Sequence, residues 1–358
     1  MSARAGGPSA ALPRRAYFDA DWWSAEQERL FGATYNLVAY ESDLPEPGDY
    51  VVARVGREPV LVVRDQHGEV RSFVNMCRHR GLPLACGPGH ADGALRCAYH
   101  GWEFGLDGRL SRVPQRRTQF PDLDATAHGL IPLAVGRWAG MVFVHPGEDA
   151  PPFDQWLGAV VDADKGGPFP WAELVEVARI DVPLRCNWKL YIENHVDIYH
   201  LWYLHDQTLR MYDHHALSWW RAGLHWGCVE PLRPGEQRVR EGMLPITSIP
   251  PAEVPLLRAN LLFPNVPMTT METTVTTYQV VPTGPETCRL DIRVRGLPGS
   301  VFADPAALLK ILRDEDGGVC EQLQETVRST RFEVGSWAAD HELPIRLFHR
   351  DVLAHLGG

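Results

Sequence analysis

Two pairs of cysteine and histidine constrain this chain more than any other feature of its sequence. The first pair lies in Cys77-Arg78-His79-Arg80-Gly81 and the second in Cys97-Ala98-Tyr99-His100-Gly101-Trp102, which gives the pattern C-x-H-x17-C-x-x-H. Two thiolates and two imidazoles delivered from two loops can hold one Zn²⁺ or one [2Fe–2S] cluster. We therefore expect a fold that brings these two loops together.

The residues around the two pairs favour the cluster over zinc. Zinc modules with four such ligands are usually small domains that the metal itself folds. Here the pairs lie in a region of about a hundred residues, with β-rich runs at 50–55 and 60–63 separated by turns rich in Gly, Asp and Pro. Trp102 is placed to shield a cluster from water. The sequence thus predicts a small all-β domain built around a [2Fe–2S] centre.

A second motif occupies residues 187–205, a segment dense in aromatic and aliphatic side chains. Read as a helix, it places Asn194, Asp197, His200 and Leu201 along one side, since residues three and four apart share a face. His205 lies five residues after His200, about 140° further round an ideal helix, so we expect the helix to end or distort before it. One carboxylate and two histidines this close together indicate a mononuclear metal site.

The acidic run Arg313-Asp314-Glu315-Asp316-Gly317-Gly318 is predicted to supply a further metal ligand. On a helical wheel Asp316 shares its face with apolar residues, whereas the two acidic residues before it fall on polar sides. A carboxylate on a buried stripe is costly unless it is paired or binds a metal. Sites of non-haem Fe(II) commonly use two histidines and one carboxylate. The predicted ligands are His200, His205 and Asp316. The alternative is a solvated helix end with Asp316 turned outward.

The two motifs together resemble those of the ring-hydroxylating-type Rieske oxygenases. The segment from Cys77 to Trp102 is similar to the family's Rieske motif, and residues 187–205 are similar to its mononuclear-iron motif. Both occur in the family's order and at similar separation, so the likeness spans about residues 35–330. The family's ligand aspartate tends to precede a glutamate by five residues, as Asp316 precedes Glu321. Rieske proteins of respiratory bc complexes fit less well, because Leu82 and Ala98 stand where those proteins carry further cysteines.

The resemblance implies a fold class and a set of cofactors. The expected fold is α+β, with an N-terminal all-β Rieske domain followed by an α+β catalytic domain that has an antiparallel sheet and helices carrying the iron ligands. The expected cofactors are one Rieske [2Fe–2S] cluster and one mononuclear Fe(II). In a Rieske centre one iron takes both cysteines and the other takes both histidines. The implied cluster ligands are Cys77, His79, Cys97 and His100.

Two further residues acquire expected roles near the iron. Asp197 lies three residues before His200, close enough to orient that ligand. The resemblance implies that Asp197 also links the iron site to a Rieske histidine of a neighbouring subunit in a head-to-tail homotrimer, so that His100 of one chain meets Asp197 of the next. Asn194 is a weaker candidate for a residue close to the iron.

The composition supports a three-part division of the chain. Residues 146–170 are rich in Pro, Gly, Asp and Ala, which is typical of a domain boundary. We predict an N-terminal segment at 1–34 that packs on the catalytic domain, a Rieske domain at 35–150 and a catalytic iron domain at 151–358.

Charge and cysteine content limit the classes of partner and the cellular compartment. A net charge of −10 argues against binding to nucleic acid or to an anionic membrane. Seven scattered cysteines do not indicate a disulfide framework, and the sequence shows neither a secretory signal nor a membrane span. We therefore expect a cytoplasmic protein.

The predicted activity is that of a terminal oxygenase that uses O₂ and a small organic substrate. The sequence contains no G-x-G-x-x-G fingerprint after a strand and no ferredoxin-type second cluster, so electrons are expected from a separate reductase or ferredoxin. Mono-oxygenation, by hydroxylation or oxidative demethylation, is the first expectation. Cis-dihydroxylation of an aromatic ring is the second. A Rieske electron-transfer protein without oxygenase activity is an alternative of a different class.

The substrate is not defined by the motifs. Residues 260–268 are candidates for the pocket wall, and they fit an ordinary core strand equally well. Four tryptophans within or after the iron motif can stack on an aromatic substrate or surround a quaternary ammonium, or belong to the core. They are Trp202, Trp219, Trp220 and Trp226.

Overall fold

The computed structural model describes residues 11–161, 169–238 and 242–357, which group into two compact units. The first unit runs from Glu26 to Trp156, and the second combines residues 11–25 with the chain from Leu157 onward. The divisions predicted after residues 34 and 150 stay predictions. Parts of the predicted segments 1–34 and 151–358 lie outside the described residues, namely 1–10, 162–168, 239–241 and Gly358.

The first unit is built from antiparallel strands, as its alternating Val, Leu and turn residues predict. The strands are β1 (Asn36–Tyr40), β2 (Asp49–Val55), β3 (Glu58–Arg64), β4 (Val70–Val74), β5 (Gly89–His90), β6 (Ala94–Arg96), β7 (Glu103–Gly105), β8 (Leu110–Arg112), β9 (Pro132–Trp138) and β10 (Met141–His145). One sheet has the order β1-β10-β9-β4-β3-β2-β5, and a smaller sheet has the order β6-β7-β8.

The central strand β3 separates two apolar cores within this unit. Its residues point alternately to opposite faces, so Leu61 and Val63 enter one core while Val60 and Val62 enter the other. The core on the Leu61 side also contains Cys77, Cys97 and Trp102. The two Cys/His loops are therefore anchored in packed protein, which does not depend on a metal for its hydrophobic contacts.

The second unit contains one antiparallel sheet of seven strands, in the order β11-β17-β16-β15-β14-β13-β12. The strands are β11 (Val175–Leu184), β12 (Ser218–Ala222), β13 (His225–Pro231), β14 (Leu256–Leu262), β15 (Val266–Thr270), β16 (Val275–Gly284) and β17 (Thr287–Gly296). The strands β16 and β17 pair antiparallel from Val275↔Arg295 to Gly284↔Thr287. The first helix of the iron motif, Trp188–Val196, packs against strand β16 of this sheet.

The helices are short apart from the last one. The α-helices are α1 (Ala20–Ala25), α2 (Arg116–Gln119), α3 (Phe153–Leu157), α4 (Trp188–Val196), α5 (Pro305–Leu309), α6 (Gly318–Val327) and α7 (Leu343–Leu356). The π-helices are Glu26–Leu30 and Lys310–Gly317. The 3₁₀ helices are Arg14–Tyr17, Phe31–Ala33, Glu41–Asp43, Thr126–His128, Gly158–Val161, Trp171–Glu173, Tyr199–Trp202 and His214–Ala216.

These elements confirm the predicted fold class. An all-β unit is followed by a unit in which helices accompany an antiparallel sheet. Helix α5 begins with an N-cap, since the Asp304 side chain accepts hydrogen bonds from the amides of Ala306 and Ala307. Within the described ranges, no helix has the length and apolar character needed to cross a membrane.

The prediction that one helix carries both Asp197 and His200, and ends or distorts only before His205, is wrong. Helix α4 ends at Val196, and Asp197 adopts an extended backbone conformation. The reason is local: the Asp197 carboxylate accepts a hydrogen bond from the Tyr199 amide at 2.7 Å, which offers the chain an alternative to the next helical turn. His200 then lies in a separate 3₁₀ helix, Tyr199–Trp202.

Candidate functional site

The two Cys/His loops of the first unit have the same backbone hydrogen-bond pattern. In the first loop the Cys77 amide donates to the Leu82 carbonyl at 2.8 Å, and in the second the Cys97 amide donates to the Trp102 carbonyl at 2.8 Å. Each loop turns through a glycine with positive φ, Gly81 at 80° and Gly101 at 69°. The paired turns present the two cysteines and two histidines symmetrically.

The side chains at these loops fit a [2Fe–2S] cluster. Cys77 and Cys97 are both buried, whereas His79 is half-buried and His100 is exposed. The Nδ1 atoms of the two histidines lie 3.1 Å apart, so both imidazoles offer the same nitrogen to one point. Two inner thiols and two outer imidazoles match the division of ligands between the two irons of a Rieske centre.

Burial controls the electrostatics of the loops before any metal binds. Desolvation raises the pKa of the Cys77 thiol, and the neighbouring Cys97 thiol raises it further. Burial, His100 and Arg80 together lower the pKa of His79, which favours the neutral imidazole that metals bind. Trp102, 2% exposed, stacks on the His79 ring at 4.8 Å, as expected of a residue that shields the cluster.

In the second unit, the three predicted iron ligands converge on one point. The Asp316 Oδ1 atom lies 3.0 Å from His205 Nε2 and 3.8 Å from His200 Nε2. One ligand atom from each residue lies within 4.8 Å of the others. Asp316 points inward and is 7% exposed, so the alternative of a solvated helix end does not hold.

The surroundings of the Asp316 carboxylate also fit a metal ligand. Its Oδ1 atom is buried and makes no hydrogen bond to any of the described residues. A buried charged oxygen left without a hydrogen bond is costly, and coordination of a cation removes that cost. Two imidazole nitrogens and one carboxylate oxygen are the donor set of non-haem Fe(II) sites. The residues present therefore fit an Fe(II) ion.

Glu315 is a site residue that the sequence analysis missed. Its Oε2 atom lies 2.7 Å from His205 Nδ1 and accepts a second hydrogen bond from the Thr208 hydroxyl at 2.7 Å. The His205 ring is thereby turned so that Nε2 faces Asp316. Burial lowers the pKa of His205, but the carboxylates of Asp316 and Glu315 outweigh this effect and raise it above its ordinary value.

The helical wheel failed for Glu315 because the segment is not an α-helix. Lys310–Gly317 is a π-helix, in which each residue advances by a smaller angle than in an α-helix. Glu315 and Asp316 consequently both reach the histidines. The adjacent Gly317-Gly318 pair is the feature of the sequence that fits this irregularity, because glycine is a poor helix former.

Asp197 and Asn194 lie near the three ligands without joining them. The Asp197 Oδ2 atom is 3.6 Å from His200 Nδ1, just beyond a hydrogen bond, and His200 Nδ1 is buried with no hydrogen-bond partner in the described ranges. Asn194 lines the cavity beside the ligands. Their predicted roles in electron transfer and near the iron remain predictions.

A cavity of about 540 Å³ opens beside the three ligands. Its walls come from the sheet on one side and from the iron-motif and π-helix segments on the other, and most of the lining is apolar. The aromatic and carboxylate residues among the lining are Tyr212, Trp226, Tyr278, Phe302, Asp197, Glu230, Asp304 and Asp316.

The cavity wall near the ligands is fixed by a buried hydrogen-bond chain. The Tyr278 hydroxyl lies 2.9 Å from His195 Nδ1, and His195 Nε2 lies 3.0 Å from the Asn260 carbonyl. Burial lowers the pKa of His195 to about 4, so the ring is neutral, and burial with the nearby Asp316 raises the pKa of Tyr278 well above its usual range. Tyr278 therefore donates to Nδ1, and the Nε2–H of His195 donates to Asn260.

Sequence reasoning located the pocket wall only approximately. Trp226 lines the cavity, but Trp202 instead stacks on His341, with ring centroids 4.9 Å apart. Residues 260–268 are not among the lining, although Leu257, Ala259 and Thr269 on either side of that run are. In β14 only alternate side chains can face the cavity, and the sequence did not indicate which alternation applies.

Comparison with protein families gives two matches that together cover most of the chain. The model of the Rieske [2Fe–2S] domain matches residues 34–129, and the model of the ring hydroxylating alpha subunit (catalytic domain) matches residues 171–358. Each family model therefore matches the part of the chain in which the corresponding group of metal ligands lies.

Individual relatives include both monooxygenases and dioxygenases. The choline monooxygenase of Beta vulgaris is 27% identical over 94% of this chain and 75% of its own length. The alpha subunit of chlorobenzene dioxygenase from Cupriavidus sp. (strain PS12) is 34% identical over 52% of this chain and 42% of its own length. The solved structure of the quaternary ammonium Rieske monooxygenase CntA with L-carnitine has the same fold, with a TM-score of 0.78 and 21% identity over 96% of this chain and 95% of that chain.

Proposed function

The chain belongs to the ring hydroxylating alpha subunit family, and from that premise we propose that it mono-oxygenates a small quaternary ammonium compound. The product would arise by hydroxylation or by oxidative demethylation. The observation that carries this proposal is the cavity beside His200, His205 and Asp316, which combines aromatic faces with a buried carboxylate, Glu230. A quaternary ammonium cannot donate a hydrogen bond, so aromatic faces and a carboxylate are the groups that attract it.

The relatives support the same substrate class. Proteins named as choline, glycine betaine and carnitine monooxygenases are among them, and the choline monooxygenases align with 94% of this chain. The matches to named dioxygenase subunits cover about half of this chain. Ring dihydroxylation is therefore the second candidate, favoured by the mostly apolar wall of the cavity.

The residues of this chain hold and shape two metal centres. When bound, the cluster supplies single electrons and the iron supplies the site at which O₂ is reduced and oxygen is transferred to the substrate. Cys77, Cys97, His79 and His100 would hold the cluster. Glu315 fixes the orientation of His205, and the Tyr278–His195 pair fixes the wall next to the ligands without carrying a charge.

Electrons are proposed to come from a separate reductase or ferredoxin and to cross a subunit contact in a homotrimer. The supporting feature is the position of Asp197, whose carboxylate lies 3.6 Å from His200 Nδ1 and is only partly buried. His100 is the more exposed of the two cluster histidines. In this proposal Asp197 of one subunit hydrogen-bonds His100 of the next.

The test of the proposed activity is an assay of purified protein with a surrogate reductase. Choline, glycine betaine and carnitine would be supplied in turn, with naphthalene as the aromatic alternative, while O₂ uptake, hydrogen peroxide and product are measured together. The proposal expects product in near-equal amount to O₂ consumed for at least one quaternary ammonium compound. A cis-diol formed from naphthalene, with only peroxide formed from the ammonium compounds, would contradict it.

Replacement of Asp197 by Asn tests the proposed path between the centres. We expect Asp197→Asn to lower product formation by roughly 10- to 100-fold, the usual effect of losing a partner of a metal ligand. Iron content and chemical reduction of the cluster should stay at wild-type levels, because no metal ligand has changed. Unimpaired turnover in this variant would remove Asp197 from the path.

A further inference from the structure

We propose that Glu230 is the specificity-determining residue of the cavity and that its carboxylate faces the cationic group of the substrate. This inference rests on the proposed function, since it concerns how a quaternary ammonium compound is selected. Glu230 belongs to neither metal-binding motif, and no sequence pattern around it predicts a role in the site.

The position of Glu230 follows from the alternation of strand β13. Trp226, Cys228 and Glu230 are two residues apart, so their side chains point to the same face of the sheet. All three are buried and line the cavity. The cross-strand neighbours of Cys228 and Glu230 are Ala259 and Leu257, which also line it. Glu230 is therefore an acidic side chain in an otherwise uncharged section of the wall.

Glu230 is also the carboxylate of the cavity that remains available for a cation. Asp316 is committed to the metal site, and Asp197 lies against His200. Asp304 is exposed, and its side chain caps helix α5. Among the lining residues that the structure describes, Glu230 alone combines a carboxylate with deep burial away from the metal ligands, at 3% exposure.

The Glu230 carboxylate is held in place by one buried side-chain partner, His214. His214 Nδ1 and Glu230 Oε1 are hydrogen-bonded, and both side chains are buried. This hydrogen bond fixes the position of the Glu230 carboxylate in the cavity wall. A bound cation would then neutralise a buried charge, which is favourable because an uncompensated ion in an apolar setting is costly. The indole of Trp226 and the ring of Tyr212 add aromatic surface to the same cavity.

A neutral isostere of the substrate separates this charge effect from shape. Binding of choline and of 3,3-dimethylbutan-1-ol, in which carbon replaces the quaternary nitrogen, would be measured by calorimetry on the iron-loaded protein at pH 8, where free histidine is neutral. We expect the wild type to prefer choline by roughly tenfold or more, and Glu230→Gln to bind the two compounds within about twofold of each other. Glutamine keeps the size of the side chain and an acceptor for His214.

Matched variants control for folding and for general charge effects. Asp304→Asn removes a charge that also lines the cavity, keeps a good helix cap and should leave the preference for choline intact. Glu230→Asp keeps the charge and should restore part of the preference. If Glu230→Gln does not fold, the double variant Glu230→Gln/His214→Asn replaces the hydrogen-bonded pair by two amides and is measured in its place.

The outcomes distinguish the inference from the proposed function. A wild-type preference for choline that persists without the Glu230 charge, or that Asp304→Asn abolishes equally, would overturn the role of Glu230 and leave the substrate class standing. A wild type that binds both compounds equally, or that turns over only neutral substrates, would overturn the substrate class itself and the inference with it.

Discussion

At the scale of single residues, the contact between Glu315 and His205 is expected to stabilise the metal site. The carboxylate lies 2.7 Å from Nδ1, on the side of the ring opposite the metal-facing Nε2. Such a partner fixes both the tautomer and the orientation of a ligand histidine. The Thr208 hydroxyl donates a partly buried hydrogen bond that holds the Glu315 carboxylate in turn.

Glu315→Gln is therefore expected to weaken iron binding at the mononuclear site by roughly 10- to 100-fold. The measurement is iron retained per chain after dialysis against a chelator, with visible absorption reporting the cluster separately. Asp314→Asn is the control, since Asp314 is an exposed neighbour paired with Arg313. Equal iron loss in both variants would indicate a general charge effect rather than the contact to His205.

His195 predicts a pH dependence of stability. Burial lowers its pKa to about 4 from the ordinary 6.5, so on acidification the unfolded chain takes up this proton before the folded protein does. Stability therefore falls as the pH drops from 6.5 towards 4, by about 2 kcal/mol at pH 5.

The check is the thermal midpoint between pH 7.5 and pH 5 for the wild type and for His195→Gln. Glutamine can still accept from Tyr278 and donate to Asn260, but it does not titrate. The wild type should lose more stability than the variant over this range. If the thermal midpoints of the two proteins fell by the same amount between pH 7.5 and pH 5, folding would not lower the pKa of His195.

Residue chemistry explains which site residues were predictable from the sequence. Paired Cys and His at short spacing have few structural uses besides metal binding, and Asp316 stood out because its apolar neighbours placed it on a buried stripe. Glu315 and Glu230 carry no such pattern. The role of Glu315 depends on the π-helical geometry of its segment, and the role of Glu230 depends on which face of β13 lines the cavity. Tertiary packing determines both.

At the scale of elements, the π-helix Lys310–Gly317 and its glycine pair position the acidic ligand. A Cβ atom built on Gly317 would lie 2.9 Å from Cδ2 of the buried Leu184, whereas one on Gly318 meets nothing within 4 Å. Both glycines have ordinary helical φ values, near −61°. Gly317 therefore packs closely against Leu184 next to Asp316, whereas Gly318 has open space around it.

The two glycines predict opposite results for the same substitution. Gly318→Ala should stabilise the protein by up to about 1 kcal/mol, because alanine is the better helix former. In Gly317→Ala the added methyl group would crowd Leu184, which should cancel the gain in stability. This variant should also retain less iron, because the crowding displaces the neighbouring ligand Asp316. Thermal midpoint and iron content measured on both variants check this prediction. Equal iron retention in the two would contradict the close-packing role of Gly317.

Element boundaries near the site were the least predictable part of the fold. The strand pair β16–β17 and the start of α5 follow from local patterns, and the structure has both. The helix predicted to continue as far as His200 stops at Val196 instead, because the Asp197 carboxylate accepts a hydrogen bond from the Tyr199 amide. A helical wheel assumes regular geometry, and the ligands sit where that geometry is interrupted.

At the scale of the whole molecule, two separately packed units each hold a set of metal ligands. The loops of the first unit join a packed core through Cys77, Cys97 and Trp102, and the second unit brings two histidines and an aspartate to one point beside a cavity. The order and spacing of the motifs were sufficient to predict this division of chemistry. The substrate was not predictable, because cavity walls are assembled from alternate residues of many strands.

Metal and sulfide analysis of the purified chain tests the central claim, that it holds one [2Fe–2S] cluster and one separate iron. The wild type should contain about three irons and two acid-labile sulfides per chain, with no stoichiometric zinc. Asp316→Ala should contain about two irons and keep both sulfides, because only the mononuclear site has lost a ligand. Zinc in place of iron, or only two irons in the wild type, would contradict the account.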